Sequence, residues 1–255
     1  MSAVGRLRRV PFDLWLEPLV IVTGSIAFVI WHANATFSET EAPQLQWSTL
    51  GKTIARHTEL TVLATLIVLV IAIPLGILVT RPGLTAIAPI IVNIANIGQA
   101  APALGVVVLF LMWWQHTPFL AAIAALVVYA VLPILQNTIT GLRGVDQKTV
   151  EAARGIGFSN GRTLVQVELP LALPVILNGV RTALVLLVGT ATLGTFIGAG
   201  GLGVLITTGT TLFLPKVLAA GAVLVALLAV AIDWLARLVE YFFTPRGLRA
   251  EGAIA

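Results

Sequence analysis

Cysteine is absent from the sequence, which excludes disulfide bridges, thiolate metal sites and cysteine nucleophiles. Charge is scarce too: Asp, Glu, Lys and Arg make up 10% of the 255 residues, against roughly 25% in ordinary soluble domains. A soluble domain of this length could bury a core but could not cover it with so few charges. The phosphate-loop signature Gly-x4-Gly-Lys-Ser/Thr is missing. The nearest approach, Gly51-Lys52-Thr53, lacks the first glycine, so the chain is not its own ATPase by that mechanism. No carboxylate or histidine sits clearly in the middle of an apolar run, and His57, Glu59 and His116 fall at run ends. That counts against a proton-coupled or other ion-coupled secondary transporter. An intramembrane enzyme would need a metal cluster or a Ser–His pair within the runs, and neither is seen. No cofactor is expected.

What the sequence has is apolar length. Hydrophobic residues make up 58% of the chain, mean hydropathy is +1.01, and the apolar residues are grouped in runs. A helix needs about 20 apolar residues to cross the hydrocarbon core. Six stretches qualify: 14–31, 58–79, 84–114 (interrupted by Gly98 and Pro102), 119–142, 173–197 and 217–238. The expected class is an all-α integral membrane protein of about six transmembrane helices. Arg6, Arg8, Arg9, Arg81, Arg143, Lys148, Arg154, Arg162, Arg237, Arg246 and Arg249, 11 of the 15 basic residues, fall on one side of that arrangement. By the positive-inside rule this side is cytoplasmic and holds both termini. The net charge of +4 then reflects cytoplasmic loops rather than nucleic-acid binding. Gly51-Lys52-Thr53 lands on the opposite side.

Arg8 and Arg9, the apolar run after them and Ala33-Asn34-Ala35 also have the outline of a signal peptide. Glu17 and Pro18 interrupt that run, and cleavage would leave five spans. Residues 33–57 read as an external loop, with 46–57 a candidate short interfacial helix. The one substantial polar segment on the cytoplasmic side is 143–170. Asp146 is placed to cap a helix over 149–154, Gly155 and Gly157 to end it, and a second helical stretch fits 160–168. Pro170 either ends that stretch or starts the next helix. By spacing alone this is equally a solvated loop with ordinary caps.

The loop resembles the EAA motif of ABC importer permeases. Glu151-Ala152-Ala153 begins it, Gly157 follows at the motif's spacing, Val167 fills the aliphatic position with Val for the commoner Ile, and Leu169-Pro170 closes it. The resemblance covers about residues 50–243 and implies the type I ABC importer permease fold. It implies that the loop is a coupling helix docking on a separate ATP-binding subunit through Glu151, Ala152, Ala153, Gly155, Gly157, Val167, Leu169 and Pro170. It also implies an extracytoplasmic substrate-binding protein, a second permease subunit (the same chain or a paralogue) and multi-pass residence in a bacterial or archaeal plasma (inner) membrane. Leu132-Pro133-Ile134, Asn137-Thr138, Gly144-Val145-Asp146, Gly179-Val180-Arg181-Thr182-Ala183 and Gly189-Thr190-Ala191-Thr192-Leu193 resemble osmoprotectant permeases, which import glycine betaine, choline, carnitine or proline betaine. Methionine, phosphonate and sulfonate permeases share parts of the pattern.

The organisation expected is 1–57 as tail, first span and external loop, 58–243 as the transmembrane domain, and 244–255 as a cytoplasmic tail. Gly198-Ala199-Gly200-Gly201-Leu202-Gly203 matches the dinucleotide fingerprint G-x-G-x-x-G, but no strand–helix unit surrounds it. A tight re-entrant turn suits it better. Asn93, Asn96 and Gln99 share one helix face beside Pro102, whose missing N–H frees the carbonyl of Gly98. They serve either as a polar lining of the path or, more commonly in membranes, as interhelical hydrogen-bonding groups. Asp233 can pair with Arg237 one turn on, Arg181 can reach the interface, and Trp31, Trp113 and Trp114 suit interfacial anchors.

Overall fold

A computed structural model describes residues 13–114 and 117–243. Among them the regular elements are helices: α1 (Asp13–Asn34), α2 (Trp47–Val79), α3 (Ala88–Ala100), α4 (Ala103–Trp113), α5 (Pro118–Arg143), α6 (Gln147–Gly155), α7 (Asn160–Thr163), α8 (Leu169–Ala191), α9 (Gly203–Thr211) and α10 (Pro215–Phe243). Five helical stretches are long and apolar enough to cross a membrane. A sixth crossing is made by α3 and α4 together, bent by 97°. His116 and the tails 1–12 and 244–255 lie outside the described residues.

The bundle is built around α5. Ala121, Ala125, Ala130, Ile134 and Leu135 along it are fully buried. Lipid offers helices no hydrophobic drive to associate, so close packing through small residues must supply it. Gly76 of α2 lies against Thr138, where an added Cβ would be 2.7 Å from the threonine side chain. A Cβ at Gly179 of α8 would lie 2.5 Å from the Asn137 Cβ and 2.8 Å from the Pro133 carbonyl oxygen. Helices α2 and α5 end in one cluster, where Ile73 and Ile77 meet Leu142, Val145 and Val150. They therefore run parallel, and the bent α3–α4 pair returns the chain to the opposite face between them. The loop end of the bundle holds the basic residues, which makes it the cytoplasmic end.

Three expectations on local structure are corrected. The segment 46–57 is not a separate interfacial helix: α2 is continuous for 33 residues, about 50 Å. Its buried stripe of Leu50, His57, Leu60, Ala64, Val68 and Ala72 keeps helical spacing across the expected boundary, so nothing breaks it. Gly98 does not interrupt the third span. It stays inside α3, where its missing Cβ admits the Val128 side chain. Pro102 alone makes the break, because it forces Ala101 into an extended conformation, ψ 145°. The fifth span starts earlier than expected, since Leu169 and Pro170 open α8.

At the external end, Phe28, Leu45, Leu50, Leu202, Leu205 and Val217 form a second core joining α1, α2, α9 and α10. The loop before α2 is ordered. The buried Glu41 carboxylate accepts the Ser38 backbone N–H at 3.0 Å and lies 3.7 Å from Lys216. The Ser38 N–H first, and Lys216 after it, hold this carboxyl below the ordinary carboxylate value. Trp31 is packed between Phe28 and Phe37, while Trp113 and Trp114 are exposed, as anchors would be.

Gly179→Leu is expected to destabilise the chain by about 1–3 kcal/mol through overpacking against α5. Gly51→Ala in α2, where nothing lies within 4 Å, should leave stability unchanged or slightly raised. Thermal unfolding of the purified variants by fluorescence-detected size exclusion compares them. Equal melting temperatures would mean the α5–α8 contact is not tight.

Candidate functional site

The cytoplasmic loop is a packed helical hairpin. Asp146 caps α6, its carboxylate accepting the Lys148 N–H at 3.0 Å. Gly155 is the last helical residue and has ordinary right-handed angles. The turn belongs to Gly157, whose φ of 95° is a conformation glycine adopts without strain. Ser159 caps α7 by accepting the Arg162 N–H. The chain then passes through a five-residue π-helical segment, Leu164–Glu168, directly into α8. The widened turn brings the Leu169 N–H to the Leu164 carbonyl. It also makes room for the ring of Pro170, which would otherwise press on the carbonyl four residues back.

The motif residues divide between an inner and an outer face. Val150 is buried against Leu142, Val145, Ala172 and Ile176, and Ala153 is buried as well. Glu151, Ala152, Gly155, Ile156 and Gly157 are exposed, Ile156 to 76%. Val167, Leu169 and Pro170 are half-buried at the base. Ala153 thus packs inward, and only Ala152 of the pair is free to meet another surface. Ile156 escaped the sequence reading. Its signal was an aliphatic side chain between two glycines in an otherwise polar segment.

The loop is pinned to the bundle by an ion pair that the sequence did not reveal. Arg81, just beyond α2, donates to the buried Glu168 carboxylate at 2.6 Å and also to the Thr80 hydroxyl. At the other end of α2, the glycine run is a tight turn. Gly198, Gly200 and Gly201 have φ of 79°, 86° and 88°, and a Cβ on Gly203 would lie 2.0 Å from the Thr192 oxygen. His57, fully buried, accepts the Leu202 N–H at Nδ1 (3.2 Å) and donates from Nε2 to the Val188 carbonyl (2.9 Å). One acceptor and one donor define the neutral Nε2–H tautomer. Arg56 donates from Nε to the Ala199 carbonyl at 3.1 Å, and its guanidinium stacks 3.7 Å over Phe119. Helix α9 after the turn was not anticipated.

The polar stripe is split. Gln99 donates to the Tyr129 carbonyl of α5 at 3.2 Å, an interhelical role. The Tyr129 hydroxyl donates to the Ala101 carbonyl at the bend. Asn93, Asn96 and Pro102 are exposed. Arg181 forms a two-pronged pair with Asp233 of α10, the partner that a cation within a membrane span requires. Arg237 lies 3.6 Å from Asp233, as the spacing allowed, and 2.8 Å from Glu17 of α1. No group of three or more His, Cys, Asp or Glu able to hold a metal occurs among the described residues.

Comparison with known proteins gives this architecture a family. The pattern described as "Binding-protein-dependent transport system inner membrane component" matches residues 72–243. The chain is 39% identical over 220 residues to the choline transport system permease protein OpuBB of Bacillus subtilis (strain 168), covering 86% of this chain and 97% of that protein. It is 38% identical over 216 residues to the glycine betaine/carnitine/choline transport system permease protein OpuCB of the same organism, covering 84% and 95%. Among solved structures, an inward-facing conformation of the MetNI methionine ABC transporter superposes with a TM-score of 0.69 at 26% identity, covering 82% of this chain and 100% of that one. The chain belongs to the binding-protein-dependent transport inner membrane component family and has the fold of a type I ABC importer permease.

Arg81→Ala is expected to cost about 3 kcal/mol, since it leaves the Glu168 carboxylate buried without its cation. The double variant Arg81→Met/Glu168→Leu should recover most of that loss. A thermal-unfolding double-mutant cycle reads the coupling, and additive losses would show that the two side chains act independently.

Proposed function

We propose that this chain is the permease subunit of an ATP-driven importer of compatible solutes, of the class that includes choline, glycine betaine, carnitine and proline betaine. It provides half of a translocation path, completed by a second permease subunit, the same chain or a paralogue. ATP is hydrolysed on a separate subunit, and an extracytoplasmic binding protein delivers the solute. The permease itself performs no covalent chemistry. It resides in the plasma membrane of a prokaryotic cell. The observation that carries this reading is the cytoplasmic hairpin, fastened to the bundle on one face and exposing Glu151, Ala152, Gly155 and Ile156 on the other. The solute class rests on the likeness, over most of both chains, to permeases named for choline, carnitine and glycine betaine.

In this reading the hairpin transmits force. Ile156 and the small Ala152 and Gly155 offer a close apolar contact to the ATPase, with Glu151 beside them for a basic or N–H partner. The inner face passes any displacement to α2, α5 and α8 through Val150, Val145 and the Arg81–Glu168 pair. Asn93 and Asn96 are assigned to the path on the strength of their exposure within a membrane span.

Ala152→Glu and Ile156→Asp should leave the permease folded and inserted, weaken co-purification of the ATPase by roughly tenfold or more, and abolish uptake in vesicles. Ala153→Asp should instead disturb the hairpin itself, because it buries a charge. Wild-type association and uptake in Ala152→Glu and Ile156→Asp would remove the hairpin from the coupling role. Deletion of the gene should reduce uptake of radiolabelled choline or glycine betaine under high osmolarity. Loss of methionine uptake in its place would replace the solute class.

A further inference from the structure

Helices α5 and α8 pack antiparallel along Pro133, Asn137 and Gly141 on one and Ala172 and Gly179 on the other. At about 100° per residue, Gln136 and Thr140 lie to one side of that contact line. Asn178 and Thr182 lie by similar angles to the same rotational side of the line on α8. Antiparallel partners are related by a two-fold axis normal to their common plane, so equal angles put all four side chains on one face of the pair. All four are exposed. Thr182 bonds only back to the Asn178 carbonyl, and the side chains of Gln136, Thr140 and Asn178 make no hydrogen bond with any described residue.

Hydrocarbon cannot satisfy such groups, so this face does not suit lipid. Counted from the cytoplasmic ends of α5 and α8, the four residues lie roughly 5–20 Å deep, in the inner half of the membrane. The four polar side chains are uncharged, with Leu171, Val175 and Val185 exposed beside them on α8 and Arg143 exposed at the cytoplasmic end of α5. The adjacent Arg181 is tied to Asp233 on α10.

We propose that Gln136, Thr140, Asn178 and Thr182 form the solute-contacting wall of the cytoplasmic half of the path, built for a small quaternary-ammonium solute. The solute class rests on the function proposed above; the wall does not. Amide N–H and hydroxyl groups supply hydrogen bonds to a carboxylate or hydroxyl of the solute. A quaternary ammonium has no N–H to satisfy and is attracted by the amide oxygens alone. With no fixed charge on the wall, the solute is held weakly and leaves readily.

The absence of cysteine makes the test direct. Gln136→Cys, Asn178→Cys and, on the exposed face of α1, Val22→Cys are assembled with the ATPase and binding protein in inside-out vesicles. They are then treated with a methanethiosulfonate bearing a quaternary ammonium. The two wall positions should react at least tenfold faster than Val22→Cys, and millimolar glycine betaine or choline should slow them several-fold. Separately, Asn178→Ala should raise the KM of uptake roughly three- to tenfold, the loss of one neutral hydrogen bond, with the binding protein's Kd unchanged. Labelling no faster than at Val22→Cys would overturn the wall and place this face against lipid or packed protein. Fast labelling that no solute slows would also overturn it. Fast labelling slowed by methionine, but by neither quaternary amine, would keep the wall and refute the solute class.

Discussion

Three helices approach so closely that at several points only hydrogen or a small side chain fits between them, and the rest of the molecule depends on that approach. Gly76, Gly141 and Gly179 let α2 and α8 close on α5. In a bilayer such packing must hold helices together without help from hydrophobic transfer. It leaves α5 the most enclosed span and α1 the least, with Trp15, Leu19, Val22, Ile26 and Ile30 turned outward. Helix α1 is attached at the external core and through the Glu17–Arg237 pair.

The same three helices carry the polar fixtures at both ends. Helix α2 binds the glycine turn through Arg56 and His57, and just past its cytoplasmic end Arg81 binds the base of the hairpin. A displacement of the hairpin would therefore act on the external turn through one continuous helix as well as through α8, which the hairpin enters directly. The buried members of these fixtures, His57 and Glu168, have their partners in place, as low dielectric requires.

Much was legible from the chain because membrane spans write themselves in composition. Apolar runs, basic asymmetry, the caps at Asp146 and Gly157 and the Glu-Ala-Ala motif are all local patterns. Apart from Ile156, whose signal was local, the main misses turned on non-local information. Arg81 and Glu168 are 87 residues apart. The 46–57 segment read as a separate interfacial helix, yet Arg56 and His57 within it find their partners in Val188, Leu202 and Ala199, far along the chain. Gly98 looked like a helix break because its reason, the Val128 side chain of α5, lies on another helix.

The sequence by itself determined the class, the number of crossings, their orientation and the family. These follow from solvent transfer, charge placement and a contiguous motif. Only the tertiary structure decided which residue of the Ala152–Ala153 pair faces outward, that Gln99 is used in packing while Asn93 and Asn96 are not, and that Arg181 pairs with Asp233. The physical reason is the same in each case. A helix periodicity says which residues share a face, but what that face meets is set by the helices packed around it.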